Sequence, residues 1–176
     1  MKRTILVIFS LLSISMVSQD TLTKSYPRNE IKINVLYLLL GLPELTYERA
    51  LNQFSSVGAS IFYGAARNLN VGLGVFPFYR WYFGQKKPVC GFFLEGNAGV
   101  YTQEVTSYYS DPTIYYLTTK KEIQGGLGLG LGGKFEVHKV WTAEILWGLG
   151  RNFINSDNRN DNEIYPRIGI SIGRRF

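Results

Sequence analysis

Charged residues recur at alternate positions within apolar stretches of the chain, so their side chains are expected to share one face of extended segments. Nine charges follow this pattern: Lys32, Glu48, Arg80, Glu95, Lys134, Glu136, Glu144, Arg167 and Arg175. Five of them are basic and four are acidic. An unpaired charge that is removed from water is strongly destabilising. We therefore predict that these side chains pair as a charge network that plugs a narrow lumen, with a small gated pore as the alternative.

A glycine-rich run is a second candidate for chemistry. Residues 125–133 alternate Gly with Leu, which superficially resembles a phosphate-binding loop. Such a loop joins a strand to a helix and ends in Lys followed by Ser or Thr, whereas Lys134 is followed by Phe135. The glycines keep one parity, which favours a strand whose glycines line the lumen and leave room for large residues opposite.

Nucleophiles and metal ligands are scarce. The chain has one Cys and one His, so an intramolecular disulfide and a thiolate zinc cluster are excluded. Cys90 is predicted to be a small apolar residue on the outer face of a strand. Asp157, Asp161 and Glu163 match no EF-hand spacing and are interpreted as a solvated loop. We predict no catalytic residue, no cofactor and no metal site.

The elements that must position the charges are strands. Eight segments alternate apolar with small or polar residues: 32–39, 45–48, 57–64, 71–83, 90–100, 126–137, 140–153 and 167–176. This period of two is typical of strands with one apolar face. No later segment has 18 apolar residues in a row. We predict an all-β fold, an eight-stranded antiparallel up-and-down transmembrane β-barrel.

The first residues predict export. Met1-Lys2-Arg3-Thr4 precedes an apolar stretch over 5–17, the pattern of a secretory signal peptide. We expect cleaved residues 1–19, a periplasmic N-terminal segment over 20–29 and a barrel domain over 30–176. Loss of Lys2 and Arg3 with the signal peptide lowers the formal net charge from +6 to +4, a small and scattered charge, so no nucleic-acid partner is expected.

The connections predict an orientation. Long connections over 102–121 and 152–163 follow the fifth and seventh strands, and the other connections are short. Outer-membrane barrels have short periplasmic turns and longer extracellular loops, so these two loops are expected outside. His138 then lies in a periplasmic turn. Lipid-modifying barrel enzymes would need a histidine near the outer leaflet, so this position argues against such an enzyme.

The longest connection contains a turn signal, Ser110-Asp111-Pro112-Thr113, flanked by stretches rich in β-branched and aromatic residues. We expect the fifth and sixth strands to continue past the membrane as a protruding hairpin. Four tyrosines of this hairpin form a possible binding surface: Tyr108, Tyr109, Tyr115 and Tyr116. Packing of these rings across the hairpin, or at head-group depth, is the alternative.

The chain ends in Ile172-Gly173-Arg174-Arg175-Phe176 and here resembles the small eight-stranded outer-membrane barrels of Gram-negative envelopes, the OmpA/OmpX type. It is most similar to envelope barrels classed as a domain of unknown function, through the stretches 47–50 and 79–84. The resemblance implies a cell outer membrane location. It also implies that Phe176 is an assembly signal for the barrel-insertion machinery, although Arg174 replaces the usual aromatic residue.

The predicted function is a non-enzymatic outer-membrane protein, structural or adhesive, that acts through its extracellular loops. Its expected partners are outer-membrane lipid, the insertion machinery and an extracellular partner of unknown identity, and we expect a monomer. An outer-membrane lipid-modifying enzyme and a soluble lipocalin-like ligand carrier are the alternatives. A soluble carrier would place its apolar parity inside the barrel and its polar parity outside.

Overall fold

The computed structural model describes residues 26–65, 70–83, 87–111, 114–154 and 163–176, with the backbone alone over 105–111 and 114–119. The strands are β1 (Asn29–Asn34), β2 (Glu44–Ala50), β3 (Ser55–Tyr63), β4 (Val71–Phe83), β5 (Gly91–Asp111), β6 (Ile114–His138), β7 (Trp141–Ile154) and β8 (Ile164–Arg175). One short helix, α1 (Val35–Leu39), follows β1. Within the described residues, no helix has the length and apolar character needed to cross a membrane.

The strands form a closed antiparallel barrel. Each strand pairs with the next in sequence, and β8 pairs with β1. The closure ends where the Phe176 amide donates to the Asn29 carbonyl at 2.9 Å and the Asn29 amide donates to the Phe176 carbonyl at 3.2 Å. The predicted eight-stranded up-and-down barrel is confirmed. The predicted signal peptide, 1–19, lies outside the described residues.

The barrel has two unlike ends. At the first, called the turn end, the chain enters β1 and leaves β8. At the opposite end, called the hairpin end, β5 and β6 run on together. Seven residue pairs, from Val105–Lys120 to Asp111–Ile114, form a two-stranded ribbon. In the described chain, pairing with β4 stops at Gln103 and pairing with β7 stops at Gly125. The ribbon extends about 20 Å at the usual rise per residue, which confirms the predicted continuation of the fifth and sixth strands.

Strand alternation separates the two faces of the barrel wall. On β4, Phe76, Phe78 and Tyr82 are buried in the lumen, whereas Trp81 and Phe83 are exposed on the outside. The same alternation gives the exterior many exposed large apolar side chains, among them Ile33, Leu45, Ile61, Val75, Leu94, Leu129, Leu131, Ile145, Trp147 and Ile170. A barrel with this outer surface is apolar outside and polar inside.

Two lumen glycines allow aromatic rings to approach the wall. A Cβ at Gly99 would come within 2.2 Å of the Phe76 ring, and one at Gly150 within 2.0 Å of the Tyr165 ring. In the run 125–133, for which this use of glycine was predicted, a Cβ at Gly132 would come within 2.4 Å of the Phe93 ring, so the prediction is confirmed there.

The predicted first strand is too long. It was expected to continue to Leu39, but β1 ends at Asn34 and α1 follows. The Asn34 side chain accepts a hydrogen bond from the Tyr37 amide at 3.2 Å, which caps the helical turn. Residues 35–40 are continuously apolar, and periodicity alone cannot separate a strand from a helix in such a run.

The outer-face prediction for Cys90 is wrong. Cys90 is buried, and its Sγ accepts a hydrogen bond from the Arg175 guanidinium at 3.3 Å. Val89 and Gly91 on either side have φ angles of 50° and 99°. These left-handed conformations interrupt the alternation just before β5, so the parity of that strand does not extend back to the cysteine.

Candidate functional site in the barrel lumen

Ten charged side chains are buried in the lumen, five cations and five carboxylates among the described residues. Eight of them belong to the predicted network, and Glu30 and Glu44 join them. Together they form what is called the lumen network below: Glu30, Lys32, Glu44, Glu48, Arg80, Glu95, Lys134, Glu144, Arg167 and Arg175. Their formal charges cancel.

Glu48 on β2 is the centre of the lumen network. Its carboxylate lies 2.6 Å from the Lys32 ammonium, 2.7 Å from the Lys134 ammonium and 2.9 Å from the Arg80 guanidinium. The Tyr82 hydroxyl donates to the same carboxylate at 2.7 Å. One carboxylate thus joins cations from β1, β4 and β6, so Glu48 links three sides of the barrel.

Arg80 extends the lumen network across the barrel. Its guanidinium lies 2.8 Å from the Glu144 carboxylate and 2.7 Å from the Glu95 carboxylate. The rings of Phe78 and Phe93 each lie 4.4 Å from the guanidinium carbon. Arg80 therefore has anions around the edge of its guanidinium and aromatic rings against its faces, an arrangement that suits this planar cation.

Toward the turn end, the lumen network continues through Glu30. The Lys134 ammonium lies 3.0 Å and the Arg175 guanidinium 3.6 Å from the Glu30 carboxylate. The Thr142 hydroxyl also donates to Glu30. This carboxylate connects the central cluster to the last residues of β8.

Toward the hairpin end, the lumen network continues through Arg167 on β8. Its guanidinium donates to the Glu44 carboxylate and to the Ser60 hydroxyl, the latter at 2.8 Å. It also forms an ion pair with Glu95 at 3.4 Å. The ten charges therefore form one continuous path of ion pairs along the barrel axis.

Strand register explains part of this arrangement. Arg80 and Glu95 are direct cross-strand partners, as are Lys134 and Glu144. Glu30 and Glu48 are also direct partners, and like charges in such positions repel. Lys134 reaches across the lumen to both carboxylates, so a side chain from the far wall compensates a repulsion within the near wall.

Glu136 departs from the prediction. Its carboxylate lies 2.8 Å from the Lys87 ammonium, which is exposed at the turn end. Glu136 is therefore a rim residue and not a member of the lumen network. The register of β6 against β7 shifts between Glu136 and His138, close to the end of the strand, where the barrel opens.

The remaining predicted residues lie at the two ends of the barrel. His138 is exposed at the end of β6, directly before the turn to β7. Phe176 is exposed next to the β1–β8 closure. In the ribbon backbone, Tyr109 is the partner of Tyr116, Tyr108 of Leu117 and Tyr115 of Ser110. The side chains of these four tyrosines, and residues Asp157 and Asp161, lie outside the described part of the structure.

Sequence reasoning missed Glu30 and Glu44, although a signal was present. Each lies two residues from a position already assigned to the lumen parity, Lys32 and Thr46 respectively. Extending the alternation by one step at the strand ends would have included both.

The lumen network lies between two cavities. One, of about 280 Å³, lies at the hairpin end among the aromatic residues Phe62, Phe76, Tyr101 and Tyr165. The other, of about 10 Å³, lies at the turn end beside Glu30 and Arg175. The charge-paired middle of the barrel therefore separates its two ends.

The comparison with solved structures supports the fold. The crystal structure of the N-terminal β-barrel domain of Pseudomonas aeruginosa OprF matches with a TM-score of 0.57 and 14% sequence identity, over 87% of this chain and 100% of that domain. No protein-family model matches the chain, and no curated protein sequence matches it. This likeness extends to the fold: the chain, like that domain, is a small closed β-barrel.

Proposed function

We propose that this chain is a monomeric, non-enzymatic β-barrel protein of the cell outer membrane, whose lumen is closed and whose extracellular ribbon is its working surface. One observation carries the proposal: an apolar exterior surrounds a lumen in which ten charges compensate each other. The OprF barrel domain supports the fold on which this proposal rests.

The exterior favours lipid over water. Large apolar side chains such as Leu129, Ile145 and Trp147 point outward from the middle of their strands. A closed barrel also pairs the backbone polar groups of its strands, as the hydrocarbon core of a bilayer requires. A soluble lipocalin-like carrier needs the opposite arrangement, so the placement of apolar residues argues against that alternative.

The lumen network favours a closed barrel. Eight strands enclose little more space than side chains fill, and here Arg80, Lys134, Tyr82 and Phe93 are fully buried inside it. An open pore would keep its charges hydrated, whereas these charges are paired with each other.

The same pairing supports a non-enzymatic role. The carboxylates of Glu48, Glu95 and Glu144 each contact at least one buried cation, which leaves them poorly placed to transfer protons. His138 is at the turn end, which is the periplasmic end if the ribbon is outside. A lipid-modifying enzyme of the outer leaflet would need its histidine at the other end.

The ribbon supports a surface-binding role. In the ribbon, from Val105–Lys120 to Asp111–Ile114, the described parts of β5 and β6 pair with each other and not with β4 or β7. Strand edges of this kind can accept a further strand from a partner. The tyrosines at 108, 109, 115 and 116 add residue types that are common in binding surfaces.

Assembly and family placement are finer parts of the proposal. The alternation of exposed and buried residues along β8, which Phe176 follows, supports recognition by the barrel-insertion machinery. The stretches 47–50 and 79–84 support a relationship to the envelope barrels classed as a domain of unknown function.

Membrane insertion and closure can be tested on the full chain. Detergent-extracted protein should migrate differently before and after boiling, and cell fractionation should place it in the outer membrane. In planar lipid bilayers it should show no stepwise conductance. Recovery from the periplasmic supernatant without detergent would contradict membrane insertion, and regular conductance steps would contradict closure.

A matched variant makes the conductance result interpretable. Glu48→Ala combined with Lys134→Ala removes one acid and one base, so the formal charge of the lumen stays balanced while its centre is emptied. If this variant remains heat-modifiable, we expect it to conduct where the wild type does not. A silent, folded variant would show that these two side chains do not close the lumen.

A further inference from the structure

The barrel wall has a gap beside β8 at the hairpin end. β1 pairs with β8 from Glu30–Arg175 to Asn34–Ser171 and then ends. β8 continues for seven further residues toward Ile164. The chain after β1 turns into α1, which packs near this part of β8 without forming a strand beside it.

Side chains cap the strand edge at the gap. The side-chain Nδ2 of Asn34 donates to the Ile168 backbone carbonyl at 3.2 Å, and its Oδ1 accepts from the Ile170 backbone amide at 3.3 Å. The Ile168 amide donates to the Tyr37 hydroxyl at 3.4 Å. Pro166, two residues before Ile168 on the same edge, has no N–H to satisfy. The gap beside residues 166–170 is therefore compatible with an apolar environment, because the backbone donors of Ile168 and Ile170 are bonded and Pro166 has none.

An aromatic cup lies behind the gap. Phe62, Phe76, Tyr101 and Tyr165 form a buried cluster, with ring centroids 5.4 to 6.4 Å apart. Leu42, from the connection that follows α1, packs against this cluster. These rings surround the cavity of about 280 Å³ at the hairpin end.

The cavity reaches the outer surface of the barrel. Its lining includes Leu40, Ile164 and Pro166 together with the rings of the cup. These three side chains are exposed on the outside of the wall, where the surface is apolar. The cavity is thus continuous with the surface that faces lipid in the proposed function.

We propose that the aromatic cup binds a single acyl chain of a surrounding membrane lipid, which enters sideways through the gap between β1 and β8. The volume is about twice that of the ~150 Å³ apolar cavity known to bind one benzene, so it suits a chain portion on the order of ten carbons. The proposal rests on the membrane placement proposed above and is independent of the role of the ribbon.

The inner end of the cavity fixes the orientation of the chain. Arg167 lies there, but its charge is compensated by Glu44, and the Phe76 ring lies 5.2 Å from its guanidinium carbon. A lipid head group would find no free cation at that depth. The methyl end of the chain therefore lies in the cup, and the head group stays outside near α1.

Nuclear Overhauser effects in lipid nanodiscs test the proposal on the full chain. We expect contacts between acyl-chain protons and the ring of Tyr165 in the cup. The ring of Phe93, in the lumen beside Arg80, is the internal control and should show none. The outward-facing Trp147 should contact the chains if the barrel is inserted. Chain contacts at Trp147 without any at Tyr165 would overturn this inference alone, and no contacts at either would overturn the membrane placement as well.

A pair of variants and a labelling scheme complete the test. Leu42→Trp fills the cup and should abolish the Tyr165 contacts, whereas Leu45→Trp adds the same group to the outer face and should preserve them. Both are checked for heat-modifiability, and an unfolded Leu42 variant is replaced by Val71→Trp. Contacts that persist when the cup is filled would overturn the proposal.

The labelling scheme identifies the source of the chain. In lipid with deuterated acyl chains, only the protons of added decanoate can give contacts to Tyr165. If Tyr165 shows contacts with this decanoate, but none in protonated lipid without it, a bilayer lipid is not the source.

Discussion

A single carboxylate, Glu48, compensates three buried cations from three strands. Its replacement by Gln would leave Lys32, Lys134 and Arg80 with less negative charge than they require. Breaking a buried ion pair on one side costs about 3–5 kcal/mol. We expect Glu48→Gln to lower the free energy of unfolding by an amount on this scale, as measured by urea unfolding in lipid vesicles.

The control for this prediction is an ion pair in solvent. Glu163 and Arg151 lie 3.4 Å apart, and their side chains are 61% and 66% exposed. Exposed pairs contribute less than about 1 kcal/mol, so Glu163→Gln should barely move the urea midpoint. Equal midpoints for the Glu48 and Glu163 variants would mean that the lumen network is not a source of stability.

Two glycines give a second comparison at the residue scale. Gly150→Ala would press a methyl group into the Tyr165 ring, which is held by Phe76 and by a hydrogen bond to Asn97 at 2.9 Å. Overpacking of this kind costs about 1–3 kcal/mol. Gly96→Ala meets nothing within 4 Å, so it should be neutral or stabilise by up to about 1 kcal/mol through lower chain entropy. Thermal or urea unfolding in vesicles measures both, and a neutral Gly150 variant would show that the ring can move aside.

At the scale of elements, the ribbon and the barrel are separable. Replacing residues 106–118 by a short Gly-Ser turn removes pairs between β5 and β6. Within the described residues, neither β4 nor β7 pairs with this part of the ribbon. We expect the shortened protein to fold and to remain heat-modifiable. If the ribbon is the working surface, cell-surface adhesion and protein binding should be lost with it.

A substitution in the wall shows that the folding measurement is sensitive. Leu129 is 76% exposed on the outside of β6, and an Arg at the bilayer midplane costs about 2–4 kcal/mol. Leu129→Arg should therefore reduce insertion into vesicles where the ribbon deletion does not. Adhesion and binding that survive the ribbon deletion unchanged would place the working surface elsewhere.

The sequence pattern did not predict α1. Its residues are apolar throughout, and a strand there would have paired with the rest of β8. The tertiary structure instead ends β1 at Asn34, whose side chain bonds both the helical turn and the β8 edge. The Asn34 side chain thus stabilises both the end of β1 and the edge of β8 that β1 leaves unpaired.

At the scale of the whole molecule, the positions of the tryptophans along the barrel predict how deep each of them lies in the bilayer. Trp81 and Trp141 lie at the turn end with Phe83, Phe135 and Phe176, and all five side chains are exposed on the outside. Amphipathic rings favour head-group depth, so we expect an aromatic girdle there. Single-tryptophan variants that keep Trp81 or Trp141 should be quenched by lipids brominated near the head group.

The third tryptophan of the chain is the internal reference. Trp147 is paired with Leu131 and Ile168 in the middle of its strands and should be quenched by bromines deep in the chains. Quenching of Trp81 and Trp141 from the bilayer centre alone would contradict the girdle. Similar depths for all three would also contradict a barrel whose strands cross the bilayer from one head-group region to the other.

Local geometry explains what the sequence by itself determined. Side chains on a strand alternate with a period of two whatever lies beside the strand, so strand number, lumen parity and the inward placement of Arg80 and Glu144 could all be predicted. Glu136 shares that parity but lies where the barrel opens, so parity alone misassigned it.

Only the tertiary structure decided which inward charges meet. Lys134 and Glu30 are 104 residues apart, and they pair because the barrel closes at a register that brings their walls together. The tertiary structure also ends β1 at Asn34, leaves the gap beside β8 and buries Cys90 against Arg175. Alternation depends on the dihedral angles of each residue and its neighbours, whereas contacts across a lumen depend on how all eight strands are aligned, which no single segment encodes.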